Sequence, residues 1–409
     1  MDAEFGRLQT PQIMSIFDPF DATTSTKGGA HAAWRALRRT EPVRKDAAPN
    51  GTEFWSFFRY AECHTILRDT SVFSSTSGAL LTCVGAPDPA GGQALALTDP
   101  PQHTALRRPS TRAVGPAAVR AHEAEIRVRV RRLLRPILAG GVHDLATTLR
   151  QLPMIAAGPL LGIPEEHWDN AVAAALATIA PSDPSYQEGD EDETVLRASS
   201  RLFGSIRASL ATSLSRPETL IGALSATSVD GTALTRRRIM LNVHSALVGG
   251  NTATVNVALH LLLHLARTPE LWRAVVDDRS VIPGLVDEAA RWTTPAQQLV
   301  RRATADVELG GVRLRAGDWV VAWIASANRD ESVFSSPYRF DPHRAPNPHL
   351  AFGLGPHFCV GAAAARTLLA ALVDELADSG VRFALAGPPR HLVSAVVNGI
   401  ASLPIRFTP

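Results

Sequence analysis

From Thr235 to Thr268 the chain runs 34 residues without a proline, and Pro269 ends the run. Thr235 is a good helix cap, so the spacing predicts one uninterrupted helix. At 1.5 Å rise per residue such a helix is about 50 Å long, enough to cross a whole molecule. Apolar residues fall on several of its faces, which requires burial on several sides. Gly249 and Gly250 stand near its middle, where each glycine costs about 1 kcal/mol against alanine. A glycine pair there predicts either a large group packed against the helix or a local distortion of it.

The rest of the chain reads as mainly α with a minor β region. Residues 50–60 (NGTEFWSFFRY) follow a Pro-Asn-Gly turn and read as a short hairpin. Helical patterns follow at 61–69 and, rich in arginine, at 102–140. Residues 74–101 are dense in Ser, Gly and Pro and read as a long loop, of the kind that is usually functional or disordered. Helical patterns at 143–215 break at Pro153, Pro164 and 181–194. The last of these (PSDPSYQEGDEDET) is acidic and full of breakers, so it reads as an exposed, mobile connection. Pro283 opens a short helix at 285–292. Residues 298–323 alternate as one small β-meander around Gly310-Gly311. A Pro-rich structureless stretch (334–350), an alanine-rich helix (362–379) and strand pairs (393–408) complete the chain. No internal repeat appears.

Basic and acidic residues nearly cancel, 41 against 39, which argues against a dedicated nucleic-acid binder. With 45% apolar residues, disorder over most of the length is excluded. Cys63, Cys83 and Cys359 are the only cysteines. They make no disulfide framework, so a reducing, cytoplasmic setting is expected. No run of 18 apolar residues predicts a membrane span. Met1 to Pro11 lacks a signal-peptide core. Residues 1–13 read as a leader ahead of Met14, and 14–409 as a single domain.

The strongest chemical signal is Phe352-Gly353-Leu354-Gly355-Pro356-His357-Phe358-Cys359-Val360-Gly361. Its glycines allow a tight turn with amides pointing inward. The cysteine sits just ahead of a helix, and amides with a helix N-terminus favour the thiolate. A thiolate so held is a natural axial ligand for haem iron, and Phe352 is placed to cover the sulfur. The alternative is a buried structural cysteine packed as a small hydrophobe; the ten-residue setting favours the ligand.

Four motifs in order resemble those of soluble bacterial cytochromes P450, and the resemblance runs from about Phe17 to Pro409. They are the Cys359 loop, Glu288-Ala289-Ala290-Arg291, the segment Asp99 to Arg107, and the glycine-paired helix. The resemblance implies a mainly α cytochrome P450-like fold with a small β-sheet region. It implies haem b with its iron held by the Cys359 thiolate inside the loop from Phe352 to Gly361. It makes Glu288 and Arg291 part of a buried structural network completed by an arginine near the cysteine loop, with Arg339 the candidate. It makes His103, Arg107, Arg301 and His357 candidate partners of the haem propionates. His103 and Arg107, one helical turn apart, point the same way. It also implies electrons from a ferredoxin and ferredoxin reductase. Arg108, Arg112 and Arg366 read as solvent-facing near the cysteine, where a basic face suits an acidic ferredoxin. A monomer is expected.

One segment departs from the family. There the distal glycine is followed by an acid and then a threonine, which assist proton delivery. Here the run is Gly249-Gly250-Asn251-Thr252-Ala253-Thr254-Val255-Asn256. Thr252 stands at the acid position and Ala253 at the alcohol position. Thr254 comes one residue late, turned about 100° around the helix. Gly250, Asn251, Thr252, Ala253 and Thr254 form the candidate catalytic segment. Three readings stay open: hydroxylation with protons from a substrate hydroxyl or ordered water; oxidative coupling, ring closure or nitration; or haem-based ligand binding or sensing without turnover. Asn251 and Thr252 are candidates for a water relay, the alternative for Thr252 being a hydroxyl bonded back to the helix. His260 and His264 share a helix face as a metal pair would, without an evident third ligand.

By the same resemblance a small-molecule substrate touches the 74–98 loop, the helix from Leu247 to Ala253, the segment with Ala296 and Gln297, and the turn with Val397 and Asn398. Two amides in an apolar pocket suit a ligand with a few fixed polar groups; the alternative is amides bonded to backbone. Only two of the 41 basic residues are lysines, which reads as GC-rich codon usage. By association, the expected substrate is a bacterial secondary metabolite of polyketide, peptide or aromatic origin.

Overall fold

The computed structural model describes residues 17–23 and 30–409; the reading of residues 1–13 as a leader lies outside them. The long helix spans Arg236–Arg267, and the Thr235 hydroxyl caps it by accepting from the Arg238 amide at 3.2 Å. Helices Leu152–Leu161, Trp168–Ile179, Glu191–Ser213, Leu220–Ser225 and Ile282–Thr293 all pack on it. By length and composition it would cross a membrane, but most of its apolar stretch is buried among these neighbours. The helix continues regularly through Gly249 and Gly250, and a methyl at either would meet nothing within 4 Å. The pair therefore opens space and does not distort the helix.

The other helices follow the sequence pattern. Tyr60–Arg68, Gln102–Val114, Pro116–Leu138 and Ala362–Asp378 fall where apolar periodicity places them. Pro153 opens a helix in its first turn and does not break one. Residues 334–350 contain neither helix nor strand.

Two readings need correction. Residues 298–323 are not one meander. Leu299–Ala303 and Trp319–Ala322 pair with each other inside a five-stranded sheet, while Val307–Leu309 and Val312–Leu314 form a separate hairpin. Trp319–Ala322 is buried along its whole length, so it takes a central place. It lies parallel to Glu53–Phe57, whose antiparallel partner is Val43–Ala47.

The acidic connection 181–194 is pinned, not loose. Asp183 is fully buried and accepts from Arg390 Nη1 at 3.1 Å and from the amides of Val393 and Ser185 at 3.0 and 2.9 Å. Burial pushes its carboxyl up, but these partners outweigh burial and hold it below the usual range. One paired buried carboxylate overrides a composition that reads as solvated. Asp190 then caps the helix Glu191–Ser213.

The C-terminal strands pair as Ile400–Ser402 with Arg390–His391, and Pro404–Thr408 with Arg382–Leu385 and Gly141–Asp144. The Cys359 loop lies across a cleft from the glycine pair of the long helix.

Candidate active site between the cysteine loop and the long helix

The cleft is lined on one side by His357 to Gly361 and on the other by Asn242, Ser245, Ala246, Gly249 and Gly250. The cysteine loop is a turn built on Gly353 and Gly355, both in the left-handed region. A side chain at Gly355 would also press on the Arg68 backbone at 3.1 Å. The Cys359 amide donates to the Phe352 carbonyl at 2.8 Å, closing the loop. Burial pushes the Cys359 thiol up; the Gly361 and Ala362 amides and the Arg107 and Arg366 guanidinium groups act the other way. Cys359 is exposed toward the cleft, and the amides and guanidinium groups favour the thiolate the sequence predicts, with a bound cation at the sulfur adding to them against desolvation. The Phe352 ring lies under Arg366 at 4.5 Å. Arg366 is also paired with Asp287 at 2.7 Å and keeps part of its side chain in solvent.

Basic groups collect at one end of the cleft. His103, on Gln102–Val114, is buried and its ring lies 4.6 Å from that of His357. Arg107, one turn on, donates to the Phe358 carbonyl at 2.6 Å. Arg301 is buried on Leu299–Ala303 and its charge acts on His357. Among the described residues His103 Nε2 and Arg301 Nε have no hydrogen-bond partner. Burial draws His103 down to about 4, with the neighbouring positive charges adding to it. Burial draws Arg301 down to about 10. The one acid here is Asp99, 3.7 Å from His357 Nε2. Arg301, a buried cation short of an anion, and His103, held neutral for want of one, are what a ligand bringing two carboxylates would satisfy. The residues present thus fit a group with a metal on the sulfur side and carboxylates on the basic side.

Beneath the loop lies the ion network. Arg291 Nε and Nη2 each reach one Glu288 oxygen at 2.7 Å, with both side chains fully buried. The third side chain is Arg344, whose Nε lies 3.2 Å from Glu288 Oε2. Arg339 is not that residue: only its carbonyl takes part, accepting from Arg291 and Arg344 at 3.3 and 3.0 Å.

Comparison with known proteins agrees with this geometry. Residues 198–375 match the family model described as Cytochrome P450. The chain is 30% identical to the Steroid C26-monooxygenase of Mycolicibacterium smegmatis, over 98% of this chain and 96% of that one. The chain belongs to the cytochrome P450 family. A solved structure of the Mycobacterium marinum P450 CYP268A2 in complex with pseudoionone superposes with a TM-score of 0.86 at 30% identity, covering 94% of this chain and 96% of that one. The P450 OxyD, involved in the biosynthesis of vancomycin-type antibiotics, superposes at 0.84 and 30% identity, covering 96% and 99%. P450 proteins are haem enzymes with a cysteine thiolate as axial ligand. In this P450, Cys359 is the cysteine that lines the cleft.

The distal side of this P450 corrects several sequence readings. The helix residues facing the cleft repeat at 242, 245–246 and 249–250, and by helical spacing Ala253 continues that row. Asn251 lies on the opposite face, with Leu247 one turn before it. Leu247 is fully buried in the helical core and Asn251 donates to its carbonyl at 2.9 Å. Thr254 is buried about 100° from Ala253. Leu247, Asn251 and Thr254 are therefore not groups on the cleft face. The Thr252 hydroxyl donates back to the Val248 carbonyl at 2.8 Å. The buried helix is apolar nearly all round, so its sequence carries little phase.

Ala296 bridges to Val397, the Gln297 amide donates to the Val396 carbonyl at 3.2 Å, and the Asn398 amide to Pro295 at 2.9 Å. Asn398 Nδ2 is also spent, on the Thr293 carbonyl at 2.7 Å. The two segments are thus knit together, and the Asn398 side chain serves that joint. His264 stacks on Phe340 at 4.1 Å and His260 faces His391 at 6.0 Å. Among the described residues no metal-binding group of three or more His, Cys, Asp or Glu forms. Sequence reasoning missed Arg344, Asn242 and Ser245; each acts through contacts remote in sequence or through helix phase.

Proposed function

We propose that this P450 oxidises a bacterial secondary metabolite and that its protons come from the substrate or from ordered water. The family activity is monooxygenase-type oxidation of a small molecule. Haem, when bound, supplies dioxygen binding and reductive activation. Cys359 would hold its iron, and His103, Arg107, His357 and Arg301 would meet its carboxylates. The buried Glu288–Arg291–Arg344 network keeps the cysteine-side backbone rigid.

The observation that carries the proton reading is the row facing the cleft. Ala253 offers no hydroxyl, Thr252 directs its own to the Val248 carbonyl, and no acid stands at either position. The Ser245 hydroxyl lines the cleft and is free to hold a water. The same gap suits oxidative coupling or ring closure, where the chemistry differs at the proton step. The likeness to OxyD, named for antibiotic biosynthesis, supports a secondary-metabolite substrate. A ferredoxin with its reductase supplies electrons in this reading, docking where Phe358 is exposed beside the cysteine and Arg108 and Arg112 are unpaired among the described residues. The protein works in the cytoplasm as a monomer.

The test uses a surrogate ferredoxin pair and a compound that shifts the Soret band. NADH consumed is compared with product and peroxide formed, in the parent and in Thr252→Asp with Ala253→Thr. Ordinary hydroxylation gives faster, better-coupled turnover in the double variant. No gain, or loss of the native product, overturns the view that protons are merely scarce and favours coupling or ring closure. Electrons flowing only to peroxide in both proteins overturns turnover altogether.

A further inference from the structure

We infer that Asn242 is the positioning residue that sets the shape of the substrate wall, by latching residues 92–96 onto the long helix. Asn242 is buried on the cleft-facing row. Its Oδ1 accepts from the Leu95 amide at 2.8 Å, and its Nδ2 donates to the Gln93 carbonyl at 3.0 Å and the Arg238 carbonyl at 2.8 Å. One side chain thus reads both strands of a turn. Arg238, one turn earlier, adds bonds from Nε to Gln93 and from Nη2 to Gly92, both at 3.2 Å. Among the described residues, all hydrogen bonds between this segment and the long helix pass through these two side chains.

The segment is closed by its own bonds. The Gly92 amide donates to the Leu97 carbonyl at 2.7 Å and the Thr98 hydroxyl to Ala94 at 2.7 Å, so it closes on itself. Gly91 precedes it, Gly92 opens it in the left-handed region, and Pro100-Pro101 follows. Leu95 and Ala96 line the same cleft as Cys359. Their seating against the long helix therefore rests on the bonds to Asn242 with those of Arg238, and a ligand too large for the latched wall has to break them. The inference rests on the cleft being the haem site, and not on the proton reading above.

The experiment measures association rates of imidazole and of 1-phenylimidazole with the haem-loaded protein by stopped-flow Soret changes. In Asn242→Ala the rate for phenylimidazole rises about tenfold while that for imidazole changes by less than about twofold, the scale expected for losing one or two buried hydrogen bonds. Asn242→Asp keeps the acceptor for Leu95 and recovers part of the discrimination. Hydrogen exchange at Leu95 quickens in Asn242→Ala with or without haem. A general loss of stability would speed both azoles alike and would leave Asn242→Asp no better than Asn242→Ala. Unchanged discrimination in Asn242→Ala overturns the inference. If that variant does not fold, Arg238→Ala takes its place, and an unchanged ratio with unchanged exchange at 92–95 overturns it equally. No Soret response of the parent protein to imidazole would instead count against the haem site itself.

Discussion

Arg291 grips both oxygens of Glu288 at 2.7 Å, and neither side chain reaches solvent. The remaining valences are also used. Arg291 Nη1 donates to the carbonyls of Asn328 and Pro337 at 2.8 and 3.0 Å, and Glu288 Oε1 accepts from the Asp341 amide at 2.9 Å. The pair therefore ties one helix to the segment leading into the cysteine loop. Removing one partner strands a buried charge, at a cost of about 3–5 kcal/mol. Glu288→Ala and Arg291→Lys are expected to lower the urea midpoint steeply and to lose haem. Lysine fails because it lacks the two-pronged fork. Arg344→Ala, which removes the second buried cation from Glu288, costs less. Arg339→Ala leaves the carbonyl in place and stays near the parent. Equal loss in Arg339→Ala and Arg344→Ala would contradict the assignment.

That contrast shows where the sequence is legible. The Cys359 loop and the Glu288–Arg291 pair are readable because their partners are within ten residues and their spacing is itself the geometry. Arg344 against Arg339 is not, since both lie in a stretch without helix or strand, 334–350, whose side chains follow no readable period. The long helix is legible in extent, from proline-free length and a threonine cap, but not in phase, which misassigned Leu247, Asn251 and Thr254. Asp183 defeated composition because burial of a single carboxylate depends on Arg390, 207 residues away.

Arg301 is buried with Nε unpartnered and no acid in ion-pair contact. Burial that draws a guanidinium down to about 10 is unfavourable until an anion arrives. Arg301→Gln is expected to leave the apoprotein as stable as the parent or more so, and to speed haem loss about tenfold, for loss of one charge-assisted bond. Haem transfer to excess apomyoglobin, with urea melts of the apoprotein, checks both halves. Slower or unchanged haem loss would remove Arg301 from the anchoring set.

His260 gives the protein an acid-sensitive spot away from the cleft. Burial pulls its pKa from 6.5 to about 3, with His391, Arg329 and Arg267 adding to the effect. In the unfolded chain it takes a proton near 6.5; in the folded chain it does so only near 3. The unfolded state therefore binds more protons in that window, so stability is full above pH 6.5 and falls as pH drops. The slope is at most about 1.4 kcal/mol per pH unit for one group. His260→Leu is expected to flatten the fall in urea midpoint between pH 6.5 and 4. Parallel profiles for the two proteins would show that this histidine is not the source.

Cys359 carries the whole haem assignment, and its surroundings make the decisive spectrum interpretable. The sulfur sits in a closed loop, with the Gly361 and Ala362 amides and two guanidinium groups favouring its charged form against burial. A cation at the sulfur tips that balance to the thiolate, and these same groups then stabilise it. The reduced protein under carbon monoxide is expected to show the strongly red-shifted Soret band of a thiolate ligand. Cys359→Ser keeps the loop, because the closing bond from residue 359 to the Phe352 carbonyl is made by backbone, yet it should lose that band. Haem anchored through His103, Arg107 and Arg301 is expected to remain partly bound in the variant, which separates loss of the ligand from loss of the site. A folded, haem-supplied parent protein without the shifted band would remove the thiolate and the oxidation chemistry that depends on it.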